Sequence, residues 1–279
     1  MAELKFAMEY FATAREREHI RHRRLAGDAP PWTQDPIFQQ WRFTNVHREH
    51  DKTTTWFREH VRSKLDGRAA VEATLIFRWF NRVETGEVVE DLLLNGWDRG
   101  EAERRLKTVR PLVTGAYMIK SPPGLSKLQG LLDCIDQARR LLPAQPLWSG
   151  LQEAWNALLV IPYLGPFLCH EIVTDLRWTS VLSHADDVNT WSNCGPGATR
   201  GMGCVVAGNP EHFNRGSARD QAAMLDAMGE LLAMSHDGFW PQAWDPWELH
   251  EVEMWACEFA KYRNAQAGYR LKRKFNASV

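Results

Sequence analysis

The sequence predicts an all-α protein, and three observations carry that expectation. Apolar residues recur at the 3.6-residue period along most of the chain, alternating β-branched runs are scarce, and Pro and Gly clusters interrupt the pattern at helix-length intervals. The first helix is expected over 4–25, with a basic second half (Arg15, Arg17, Arg21, Arg23, Arg24) ended by Pro30-Pro31. Asp35-Pro36 offers a cap and a first-turn proline for a helix over 36–46. Further helices are expected over 52–63, 69–81, 87–94 and 99–108, then over 126–142 between Pro122-Pro123-Gly124 and Pro143. A helix pair, 147–159 and 166–178, is joined by Ile161-Pro162-Tyr163-Leu164-Gly165. A Gly/Asn-rich loop is expected over 189–208, helices over 217–236 and 246–264, and a basic tail over 269–275. The expected organisation is a single helical domain over 1–279, with one lobe at about 110–205 and the terminal helices packed beside it.

Composition narrows the function classes. The 279 residues hold 34 Lys+Arg against 35 Asp+Glu, a net charge of −1, which excludes a globally basic nucleic-acid coat and leaves any nucleic-acid contact to a local face. Five scattered cysteines (Cys134, Cys169, Cys194, Cys204, Cys257) show no C-x-x-C spacing, so neither a zinc ribbon nor a disulfide framework is expected. The N-terminus turns charged at once, and no window reaches about 18 apolar residues. The expectation is a soluble, cytoplasmic protein without membrane contact. Thirteen tryptophans supply core volume and, where exposed, flat surfaces for stacking.

Five stretches carry residue types suited to chemistry. The turn Pro162-Tyr163-Leu164-Gly165, with Phe167 just beyond Pro166, presents the free N–H groups of a following helix, a natural cradle for phosphate. It resembles the helix-hairpin-helix of DNA glycosylases, although Tyr163 stands where that motif has its first glycine; an ordinary helix–helix turn is the plain alternative. Asp186 and Asp187 follow Gly165 by 21 and 22 residues, the place of a glycosylase catalytic aspartate, or of a helix cap. Gly195, Gly197, Arg200 and Gly201 suit an anion nest for pyrophosphate or a flexible turn. The run from Trp41 to Trp56 concentrates Arg42, Asn45, Arg48 and Asp51, a set that suits either a site or ion-paired packing; its His47 and His50 lack helical metal spacing, so no metal ligand is assigned. Glu258 and Lys261 share a face of the last helix, as a site pair or a surface ion pair. No G-x-x-x-x-G-K-[ST] and no strand-borne G-x-G-x-x-G occur in the 279 residues.

In order, W-R-F-T-N-V-x-R-E-x-D-K-x-T-x-W, Gly115–Ile119, the hairpin, G-P-G-A-x-R-G and E-x-x-x-x-C-E-F-x-K-Y resemble the phage α-glutamyl/putrescinyl thymine pyrophosphorylases, or amino acid:DNA transferases, over about residues 32–275. The helical domain of 5-hydroxymethyluracil DNA kinases is a relative of that family. The resemblance implies a glycosylase-like helical fold acting on double-stranded DNA that carries modified thymine. It implies transfer of an amine, from an amino acid or polyamine, onto pyrophosphorylated 5-hydroxymethyl-deoxyuridine, in a pathway coupled to such a kinase. Arg42, Arg48, Arg200 and the glycines then take the leaving charge, while Asp186, Asp187, Asp51 or Glu258 is the base. Base flipping against Trp191 or Tyr163 is expected. Mg2+ commonly accompanies such chemistry, without ligands to assign. The competing readings are a glycosylase excising a modified base and a non-catalytic DNA-binding module of a modification complex.

Overall fold

A computed structural model describes residues 4–116 and 118–275, so Tyr117 of the Gly115–Ile119 motif lies outside the described residues. Among them are twelve α-helices and no strand, in agreement with the expected all-α class. The helices are α1 Ala7–Leu25, α2 Pro36–Gln40, α3 Lys52–His60, α4 Gly67–Phe80, α5 Val83–Asn95 and α6 Arg99–Leu106. They continue as α7 Lys127–Leu141, α8 Leu151–Leu158, α9 Pro166–Leu176, α10 Pro196–Ala207, α11 Ala218–Met234 and α12 Leu249–Gln266. No helix among the described residues is long and apolar enough to cross a membrane.

The chain packs as two compact units, one of residues 1–51 with 188–279, the other of residues 52–187. The grouping differs from the lobe expected at 110–205, which runs through the point where the chain passes from one unit to the other. Packing decides the grouping: 52–106 packs with 127–176 through α4, which contacts α5, α7 and α9.

In the first unit, α10 lies against α12, with α1 and α11 completing the layer. Tyr10 and Trp255 stitch it together: the Tyr10 hydroxyl donates to the Val252 carbonyl (2.8 Å), and the Trp255 indole N–H donates to the Tyr10 carbonyl (3.1 Å). Both side chains are fully buried, so each polar tip needs such a partner.

Two expected elements change here. The helix expected over 36–46 stops at Gln40, because Trp41 turns extended and bridges Lys274, while the Arg42 N–H donates to the Arg273 carbonyl (3.1 Å). The loop expected over 189–208 is instead largely the helix α10, capped by Gly195 and started by Pro196. Interior glycines disfavour a helix by about 1 kcal/mol each, which is why the stretch reads as a loop. Tertiary contact overrides that preference: a Cβ at Gly201 would overlap the Ala256 backbone carbonyl, and one at Gly197 the Cys257 thiol. These glycines let α10 and α12 approach.

In the second unit, Arg78 of α4 is buried and paired with Asp175 of α9, donating from both Nε and Nη2. It also donates to Asn81 Oδ1 (2.6 Å) and Thr54 Oγ1 (3.0 Å). A buried pair this fully hydrogen-bonded specifies one arrangement of α3, α4 and α9 more than it adds stability.

Candidate functional site

The first unit holds a dense buried polar cluster built on the extended segment after Gln40. Phe43 and Val46 enter the core, and the residues between and after them turn to polar partners. The Asn45 backbone N–H and Nδ2 both donate to Asp51 Oδ1 (3.1 and 3.0 Å), and Nδ2 also donates to the His50 carbonyl (2.7 Å). Arg17 of α1 donates from Nη2 to Asn45 Oδ1 (2.6 Å). Glu258 of α12 accepts from the Thr44 N–H (3.1 Å) and from Lys261 Nζ (2.7 Å), whose ammonium sits 5.0 Å from the centre of the Phe43 ring. Arg48 is buried, and its charge acts on Asp51.

Burial pushes the Asp51 carboxyl up to about 6, against the opposing pull of the Asn45 N–H and of Arg17 and Arg48; Glu258 adds to the rise. Burial likewise lowers the Arg17 guanidinium, opposed by Asp51, Glu18 and Glu258. Beside this core lies Glu18, which receives Arg21 through Nε (2.8 Å) and Nη2 (2.5 Å). His50 Nε2 lies 3.1 Å from Asp245, and His47 Nδ1 lies 3.8 Å from Glu251. Burial alone would lower the His47 imidazole, but the carboxylates of Glu251, Glu18 and Asp245 together outweigh it and the balance is upward. His50 is pushed down by burial and by the charges of Arg21 and His47. Arg17 Nη1, Glu18 Oε2, His47 Nε2 and His50 Nδ1 are buried without a hydrogen-bond partner among the described residues. So many interacting titratable groups, several shifted and several under-satisfied, make this cluster the candidate site of the first unit.

Of the residues expected at the site, the fold brings together Asn45, Arg48, Asp51, Glu258 and Lys261. Arg42 and Arg200 are exposed, unlike the buried Arg48, so the three arginines do not share one environment. Gly195, Gly197 and Gly201 form no loop nest, since they cap and pack α10, and the Gly195 N–H donates to Glu253 Oε1 (3.3 Å). Trp191 is buried. Arg17 and Glu18 join the cluster as well, although the sequence shows the second half of α1 only as a basic stretch. The signal in the sequence is Glu18 set three residues before Arg21, a spacing that pairs the two on one helix face.

In the second unit, α8 and α9 pack together around the turn expected between them. Pro162, Tyr163, Gly165 and Phe167 are exposed at the tip, whereas the Leu164 side chain is buried and drops out of the expected contact set. Tyr163 takes the left-handed conformation (φ 65°), the geometry a glycine would hold more easily. Asp187 Oδ1 and Oδ2 accept from the Leu151 and Gln152 N–H groups (2.7 and 2.9 Å), so this aspartate caps α8. Asp186 is exposed. The cap is the plain reading of this pair.

The described residues form an all-helical protein with a buried acid–base cluster in its first unit, and comparison with known families supplies the placement. The family of the 5-hmdU DNA kinase helical domain matches residues 5–269, and the chain belongs to that family. The 5-hmdU DNA kinase of Bacillus phage SP10 is 26% identical over 311 residues, covering 96% of this chain and 48% of that protein. The chain thus spans about half the length of that curated relative. No solved structure matches.

Proposed function

We propose that the chain hypermodifies thymine in DNA, transferring an amine onto pyrophosphorylated 5-hydroxymethyl-deoxyuridine. Membership of the kinase helical-domain family supports the setting of a modified thymine in DNA, and duplex DNA in the host cytoplasm is part of the proposal. No P-loop motif occurs in these 279 residues, and the step proposed for them is one other than phosphoryl transfer. The observation that carries the reading is the cluster of Arg17, Asn45, Arg48, Asp51, Glu258 and Lys261. The amine nitrogen forms the new C–N bond at the thymine methylene as the C–O bond to pyrophosphate breaks; the nitrogen's surplus proton passes to the Asp51 carboxylate. Buried guanidinium groups at Arg17 and Arg48 suit the leaving charge, because low-dielectric surroundings strengthen their attraction. Mg2+ would enter with the pyrophosphate as its counter-ion. The exposed turn between α8 and α9 would hold the DNA backbone as a helix-hairpin-helix does, with Tyr163 available to stack on a base.

The test is mass spectrometry of nucleosides from DNA treated with a 5-hydroxymethyluracil DNA kinase, then with this protein and candidate amines. An amine adduct at the thymine methylene is expected; abasic sites in its place would favour excision, and unaltered nucleosides a binding module. Asp51→Asn keeps an acceptor for Asn45 but loses the base, and adduct formation should fall by about 10²- to 10⁴-fold. The rate should rise with pH through about 6, where Asp51 loses its proton, and then level off. Stability runs the other way. The folded Asp51 binds its proton more tightly than the unfolded one, so stability falls as pH rises from about 4 to about 6 and is constant above. Asp51→Asn should therefore flatten that part of the melting-temperature profile while slowing turnover by that factor. A variant that stays fully active removes Asp51 from the mechanism.

A further inference from the structure

The basic tail belongs to neither the polar cluster nor the hairpin. Its backbone runs beside residues 40–42: the Phe275 N–H donates to the Gln40 carbonyl (2.9 Å), the Arg42 N–H to the Arg273 carbonyl (3.1 Å), and Trp41 bridges Lys274. This pairing fixes a ridge on which Arg42, Lys272, Arg273 and Lys274 are all exposed. The pairing sets Arg42 and Arg273 on one side of the ribbon and Lys272 and Lys274 on the other, so four exposed cations line both sides of one positive ridge in a chain of net charge −1.

The ridge ends at an aromatic cleft. Phe275 meets Trp32 edge-on with ring centres 6.1 Å apart, and with Pro30, Pro31 and Phe38 they line a cleft of about 410 Å³. The Arg24 guanidinium lies over the Trp32 ring at 5.2 Å, adding a cation at the cleft. Gln39 and Thr33 add polar groups to the lining. A row of cations tracking phosphates beside a ring-walled slot is the physical pattern of single-strand recognition, where stacking tolerates any base.

We propose that this face of the first unit binds single-stranded DNA, with phosphates along the Arg42–Lys274 ridge and an unpaired base in the Trp32–Phe275 cleft. It gives Arg42 a role as a backbone contact in place of the pyrophosphate site. The inference does not depend on amine transfer, since strand binding and nucleoside chemistry have separate readouts.

The experiment is fluorescence anisotropy of a labelled 20-nucleotide oligothymidine with the full chain, over a range of salt concentrations. The wild type should bind with affinity falling steeply as salt rises. K272E/R273E/K274E should bind at least 10-fold more weakly, with a log–log salt slope shallower by about 2, on the scale of about 0.7 per phosphate contact. Should charge reversal disturb folding, K272Q/K274Q leaves the backbone pairing intact and should flatten the slope by about 1.4. Phe275→Ala should weaken binding by about 5- to 100-fold with the slope unchanged, the signature of lost stacking. Failure of the wild type to bind oligothymidine, or an unchanged slope in the folded charge variants, overturns the proposal. Wild-type affinity in Phe275→Ala overturns the base slot, and a slope change seen with duplex but not with oligothymidine overturns the single-strand assignment.

Discussion

Two helices of this chain begin on the same dipeptide, α9 at Gly165-Pro166 and α10 at Gly195-Pro196, with nearly equal cap geometry (φ −80°, ψ 169° and φ −69°, ψ 173°). Their surroundings are opposite. Nothing lies within 4 Å of a Cβ built on Gly165, at an exposed turn. Gly197 and Gly201, which follow Pro196, are pressed against α12, the latter against the Ala256 carbonyl. One Gly-Pro start keeps a surface open, and the other leads into a helix pair closed by its glycines. The local signal for an anion cradle is the same in both, and only the partner helix separates them.

That contrast breaks most visibly at Gly201. Gly201→Ala puts a methyl into backbone that has no rotamer to yield, and the cost should reach about 3–5 kcal/mol, the upper end for overpacking. Denaturant unfolding measures it, and a variant as stable as the wild type would mean that α10 and α12 do not meet as described. Gly165→Asp tests the other side with a smaller effect. An aspartate is a good N-cap in open space, so folding should hold or gain slightly. Duplex-DNA affinity should fall by about 1–3 kcal/mol as a carboxylate faces phosphate. Undiminished binding by the folded variant would take the hairpin out of DNA recognition. The smallest change is Tyr163→Gly, which relieves a left-handed residue and should raise stability by at most about 1 kcal/mol, read as a small rise in Tm. A clear loss of stability would show that the half-exposed ring packs more than its position suggests.

The same contrast shows what the sequence makes legible. Ser126 and Ser217 stand at N-caps and accept from the backbone three residues on, and Asp35 accepts from Ile37, because capping is written within a few residues. The extended run after Gln40 and the helix α10 escape a local reading, since residues more than 50 positions away hold each of them. The site divides likewise. Asn45 and Asp51 are six residues apart and bond directly, so their polar density shows in the sequence. Arg17 reaches Asn45 across 28 residues, and packing alone turns it inward. Asp187 is the reverse case: a residue with a catalytic-looking spacing whose two oxygens are both engaged by backbone.

That engagement gives the second unit a tether. Asp187 grips the start of α8 from 36 and 35 residues downstream, closing into a loop the whole segment that carries the exposed turn. It is also the last residue of its unit, where the chain crosses into 188–279. Separation of α8 from that crossing must release the Leu151 and Gln152 amides together, so slow hydrogen exchange at this pair follows the opening of the loop as one cooperative event.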